Sequence, residues 1–146
     1  MNIYFAASIS GGRENIEIYK QIGAILESKG EVLTKQVFSD THTQEEPVRD
    51  MDGKIATTED IYTQDKLLMD KADVLVADIT TPSTGVGYEI GLAEARNIPI
   101  LVIFRNDGKR KSAVVLGNTK FVCKEYEKIE NLKKIINDFF KDFASH

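Results

Sequence analysis

Residues 73–80 read Asp-Val-Leu-Val-Ala-Asp-Ile-Thr, and Val74-Leu75-Val76-Ala77 within them is an unbroken apolar run. A strand with one wet face alternates apolar and polar side chains. One without alternation is covered on both faces, as in a parallel sheet between layers of helices. Such a sheet needs helical segments between its strands, and the chain supplies them. Residues 3–7 read as a buried strand. Residues 13–28 read as a helix, with Ile18, Ile22 and Ile25 at helical spacing and Gly30 just past its end. Residues 31–34 form a short strand. Residues 35–56 are polar and irregular and contain Pro47 and Gly53, the pattern of a functional lid. Thr57 or Thr58 caps a helix ending near Ala72, with Glu59 and Asp60 in its first turn.

The second half continues the alternation. A helix is expected over 87–97, a strand over 100–104, a charged loop over 105–111 and a short helix over 112–116. A fifth strand covers 120–123. The closing amphipathic helix, 127–143, has Ile129, Leu132, Ile135, Ile136 and Phe139 on its apolar side. The expected architecture is α/β: one domain over 1–146 with a doubly wound, five-stranded parallel sheet, flavodoxin- or Rossmann-like, in the order 2-1-3-4-5. Ligands bind such sheets beyond the carboxyl ends of the strands, where the strand order reverses. The chemistry is therefore expected in the loops after strands one and three.

Composition narrows the functional classes. A net charge of −4 argues against non-specific binding of nucleic acid. No apolar run approaches the ~20 residues that span a bilayer, and the opening residues read as a strand rather than a signal segment, so a cytoplasmic protein is expected. One cysteine, Cys123, excludes an internal disulfide and a cysteine-based zinc cluster. With only His42 and His146 as histidines, and no nucleophile elbow, neither a metal site nor a Ser/His/Asp triad is expected.

The first loop, Ser8-Ile9-Ser10-Gly11-Gly12-Arg13, has hydroxyls, glycines and a helix start. It suits either a Ser-capped turn or an anion site; it matches neither the dinucleotide nor the P-loop fingerprint. The second loop carries Ser83, Gly85 and Gly87, followed by Glu89 in what reads as the first helical turn. There a carboxylate either complements the helix dipole or, kept ionised by it, serves as nucleophile or base. A second acid stands out. Ile61, Asp65, Leu68 and Ala72 share one helical face, so Asp65 lies in an apolar stripe, where an ionised carboxylate needs hydrogen bonds or a cleft. Asp60, Lys66 and Asp70 read as solvent-facing charges. Asp78, at the end of the third strand, either caps the next loop or reaches the cleft. A pair of carboxylates is the usual equipment for cleaving a glycosidic bond.

Residues 3–14, Gln64-Asp65, Ala72-Asp73-Val74 and Pro82-Ser83-Thr84-Gly85-Val86-Gly87-Tyr88-Glu89-Ile90-Gly91 together resemble the 2′-deoxynucleoside 5′-monophosphate N-glycosidases of the nucleoside 2-deoxyribosyltransferase superfamily. The resemblance covers nearly the whole chain, including Ser112-Ala113. It implies hydrolysis of the bond between base and deoxyribose in a deoxynucleotide. Glu89 corresponds to the nucleophile, Asp65 to the assisting acid or orienting group, and Tyr4 to a tyrosine near the sugar. Ser8, Ser10, Gly12, Ser83, Gly85, Gly87 and Ser112 correspond to the 5′-phosphate site. Ser112 would come from a neighbouring subunit, so a homodimer is implied. The resemblance implies no metal or organic cofactor.

There are two departures. Ser10 stands where mammalian members have a phosphate-contacting arginine, and Gln36 stands for a histidine. They bear on base preference and phosphate affinity rather than on reaction type. Four alternatives stay open at this point: a deoxyribosyltransferase using free nucleosides, a ribonucleotide N-glycosidase of the cytidine-monophosphate type, a nucleotide sensor without turnover, and a flavodoxin-like electron carrier.

Overall fold

The computed structural model describes residues 1–9, 15–38 and 54–144. Five parallel strands, β1 (Asn2–Ala7), β2 (Glu31–Val32), β3 (Val74–Asp78), β4 (Ile100–Phe104) and β5 (Val122–Glu125), form one sheet in the order β2-β1-β3-β4-β5. Among the described residues five α-helices flank it: α1 (Ile16–Glu27), α2 (Thr58–Lys71), α3 (Thr84–Ala95), α4 (Ala113–Leu116) and α5 (Ile129–Ala144). All of β3 is buried, as its apolar run requires.

Alternation along β1 divides the interior in two. Ile3 and Phe5 join Ile22, Leu26, Leu132 and Ile136 in a core under α1 and α5. Tyr4 and Ala6 point to the other face and join Met69, Leu75, Ile90 and Ala93 under α2 and α3. This period of two puts Tyr4 on the face covered by the helices that carry Asp65 and Glu89. In α5 the deepest positions are Leu132, Ile136 and Phe140, four residues apart. Phe139, expected on the apolar side, is only partly buried and lies edge-to-face on Phe140.

The differences from the sequence reading are local and have local causes. Strand β2 is two residues long rather than four. The Thr34 hydroxyl accepts from the Phe5 N–H at 2.9 Å and donates to the Phe5 carbonyl at 2.6 Å, taking over the backbone's place beside β1. Strand β5 lies two residues later than expected. Helix α3 begins at Thr84, not residue 87, because Ser83 is an effective N-cap whose oxygen accepts from the Val86 N–H at 3.3 Å. Gly85, expected in a loop, and Gly87, expected to open the helix, therefore both lie in its first turn.

Helix α2 starts as expected, with Thr57 as N-cap. Asp60 does more than face solvent, because it closes a capping box with Thr57. A short turn, Lys35–Phe38, packs on α1, and Gly23 makes this possible: a Cβ there would lie 2.9 Å from the Phe38 ring. The rest of the expected lid, residues 39–53, falls outside the described residues.

Candidate active site

The site forms where β1 meets α2 and α3. Tyr4 is 1% exposed, and its hydroxyl hydrogen-bonds the Glu89 carboxylate. Asp65 lies close enough to raise the pKa of both groups electrostatically. Tyr4, Asp65, Gly85 and Glu89 line one open cleft, with Tyr62 and Lys66 also on its walls. Asp65 thus has the cleft that its apolar stripe required. Lys66, expected to be an ordinary surface charge, is exposed but borders the same space.

The electrostatics differ from the sequence expectation. Because α3 starts at Thr84, Glu89 sits in its second turn, and the first turn contains no acidic residue. The dipole effect falls off within one turn, so it does not govern this carboxyl. Burial governs it: desolvation pushes Glu89 from 4.5 up to about 7, with the Tyr4 hydrogen bond pulling it down and Asp65 pushing it up. Burial also raises Asp65 above its ordinary range. The Tyr4 phenol is raised far beyond any physiological pH by burial and the Glu89 charge, so it remains a hydrogen-bond donor. Two carboxyl groups titrating above their ordinary values, with a fixed phenol donor, can divide between them the roles of nucleophile and proton donor.

The other expected residues are distributed as follows. Ser8 is buried, 3% exposed, just beyond β1. Ser83 and Ser112 are the N-caps of α3 and α4; Ser112 is exposed, and its oxygen accepts from the Val115 N–H at 3.4 Å. None of these three serines borders the cleft containing Glu89. A Cβ on Gly85 would lie 3.9 Å from Glu89 Oε1, so this glycine keeps the space beside the carboxylate open. Gly87 is exposed, with nothing within 4 Å of its Cβ position. Ser10 and Gly12 lie outside the described residues, as do His42 and His146. Among the described residues, no group of three or more His, Cys, Asp and Glu is placed to hold a metal ion, and no helix is long and apolar enough to cross a membrane.

Asp78 takes the capping role. It is fully buried, accepting from the Thr80 N–H at 2.8 Å and from the Tyr126 hydroxyl at 2.7 Å. Sequence reasoning missed the polar group around it, which includes Asn15, Thr81, Arg105 and Tyr126. A charged residue directly after the apolar run 100–104 was the available signal for Arg105. For Tyr62 it was a position three residues before Asp65, on the same side of α2.

The parallel sheet in the order β2-β1-β3-β4-β5, with helices between its strands, gives the fold class. Residues 3–137 match the nucleoside 2-deoxyribosyltransferase family, and the chain belongs to it. Among its relatives is a 5-hydroxymethyl-dUMP N-hydrolase of Danio rerio, 39% identical over 150 residues and covering 100% of both chains. A protein of Syntrophotalea carbinolica, provisionally named 2′-deoxynucleoside 5′-phosphate N-hydrolase 1, is 37% identical, covering 94% of this chain and 93% of its own. The fold is also that of the Clostridium botulinum CMP N-glycosidase BcmB, with a TM-score of 0.64 at 13% identity over 95% of this chain and 99% of that one.

Proposed function

We infer that this protein hydrolyses the N-glycosidic bond of 2′-deoxynucleoside 5′-monophosphates, giving free base and 2-deoxyribose 5-phosphate. The observation that carries the reading is Glu89 in the cleft, hydrogen-bonded by Tyr4 and flanked by Asp65, with its carboxyl raised to about 7. Relatives bearing deoxynucleotide N-hydrolase names over essentially the whole chain support it.

In the first step the ionised Glu89 attacks C1′. The C1′–N bond breaks, its electron pair leaves with the base, and the base nitrogen takes a proton. Asp65, raised by burial, either delivers that proton or holds Glu89 in line. In the second step water attacks C1′, gives up a proton and displaces Glu89. A 2-deoxy sugar lacks the electron-withdrawing 2′-hydroxyl, so its cationic transition state is reached more easily. The bulk of Tyr4 disfavours a ribose hydroxyl.

The phosphate is assigned to Ser8, Ser10, Gly12, Ser83, Gly85 and Gly87, with Ser112 supplied by a second copy in a homodimer. Gly87 and Gly91 support this assembly: both are exposed with open space at the Cβ position, and with the half-exposed Tyr88 they leave a helix face that a second chain can approach closely. No metal or organic cofactor takes part, and the protein is placed in the cytoplasm.

The test is a panel of deoxynucleoside monophosphates, the matching ribonucleotides and the free nucleosides, assayed for released base with and without a second base. Release from the phosphorylated deoxy substrates, without exchange, is the expected result. Folded protein that releases no base from any of them refutes the reading.

A further inference from the structure

We propose that Asn15 and Arg105 are positioning residues for the substrate's phosphate, tying together the loops that follow β1, β3 and β4. The proposal rests on the phosphate assignment given above. Its starting point is Asn15, the N-cap of α1. An Asn at this position ordinarily bonds the backbone of its own helix. Here the side chain makes no cap hydrogen bond. It crosses to the other loops instead: Nδ2 donates to Thr81 Oγ1 at 3.0 Å, and Oδ1 accepts from Arg105 Nη2 at 2.6 Å. With one atom donating and the other accepting, the orientation of the amide is fixed. Asn15 is also buried, which strengthens both bonds.

Arg105 is itself held in place. It directly follows β4, and its N–H donates to Thr80 Oγ1 at 3.0 Å. The Thr80 carbonyl accepts from Lys111 Nζ at 2.8 Å, so the same loop is also tied to the segment leading into Ser112. Fully buried Asp78 fixes the Thr80 N–H from below. The chain of contacts therefore runs from the end of β4 through Arg105 and Asn15 to Thr81. Thr81 lies two residues before Ser83, the cap of the helix that carries Glu89.

A phosphate held by hydroxyls and backbone amides depends on placing those donors to within about 0.5 Å. Loops on separate strands do not hold that spacing unaided. The tie fixes the spacing without contacting the reacting atoms, so it acts on binding.

Thr81→Val tests this, because it removes only the acceptor for Asn15 and preserves shape; Asn15→Ala and the double variant complete a cycle. With a deoxynucleoside monophosphate, each single variant is expected to raise KM about tenfold and to change kcat less than threefold. The double variant should be no worse than the poorer single one, because both break one link. With the unphosphorylated nucleoside, kcat/KM should change less than twofold. Arg105→Lys, which keeps the charge but loses the fixed fork, should behave like Asn15→Ala. Thermal unfolding checks that each variant is folded. An active wild type with unchanged KM in folded variants, equal losses on the unphosphorylated substrate, or effects that multiply in the double variant would each overturn the proposal alone. A folded wild type that neither turns over nor binds a deoxynucleoside monophosphate overturns the phosphate assignment and the proposal together.

Discussion

Glu89→Gln isolates the stability cost of the candidate nucleophile. The carboxyl rises from 4.5 to about 7 on folding, chiefly by desolvation. At ~1.36 kcal/mol per pH unit, this corresponds to about 3 kcal/mol. The native state binds the proton more tightly than the unfolded chain, so stability is fully present below the unfolded value and is lost as pH rises through the folded one. Above about pH 7 the wild type carries the whole penalty. Glutamine resembles the protonated acid and carries none of it. Denaturant unfolding of both proteins should give equal stabilities, within ~1 kcal/mol, near pH 4. The variant should be the more stable by about 3 kcal/mol near pH 8. A variant that is equally stable or less stable near pH 8, in a native-like fold, would refute the claim that burial dominates this carboxyl.

Further outcomes follow from named contacts. The activity of the wild type, if Glu89 must be ionised, should rise with pH through about 7. Tyr4→Phe removes the hydrogen bond that lowers this value, so the midpoint of the pH–rate profile should move to higher pH; an unmoved midpoint counts against the pairing. Thr57→Ala breaks the capping box of α2 and should cost about 1 kcal/mol in denaturant unfolding, with no change in the pH–rate midpoint.

The sheet was legible because Val74 to Ala77 leave no polar side for water, and because residues 18, 22 and 25 declare a helix beside it. Asp65 was legible for a related reason: a carboxylate inside an apolar stripe needs hydrogen bonds or a cleft. The state of Glu89 was not. Its burial comes from Tyr4 and α2, which are remote in sequence, and Ser83 starts α3 before the glycines that resembled a loop. Asn15 and Arg105 were hidden further still. They meet across 90 residues; Asn15 carries no local pattern that distinguishes it from an ordinary cap, and the one local mark on Arg105 is its place directly after the apolar run 100–104.

Attack by Glu89 on C1′ is tested most directly by the stereochemistry of the product. Free 2-deoxyribose 5-phosphate loses its anomeric configuration in water, but a methyl glycoside formed in methanol-containing buffer keeps it. Two displacements, the first by Glu89 and the second by methanol, retain configuration. Proton NMR of the methanolysis product of a β-deoxynucleoside monophosphate should therefore show the β-methyl glycoside, formed by the wild type and not by Glu89→Gln. The α-methyl glycoside, or unimpaired methanolysis by Glu89→Gln, would contradict the nucleophilic role of Glu89.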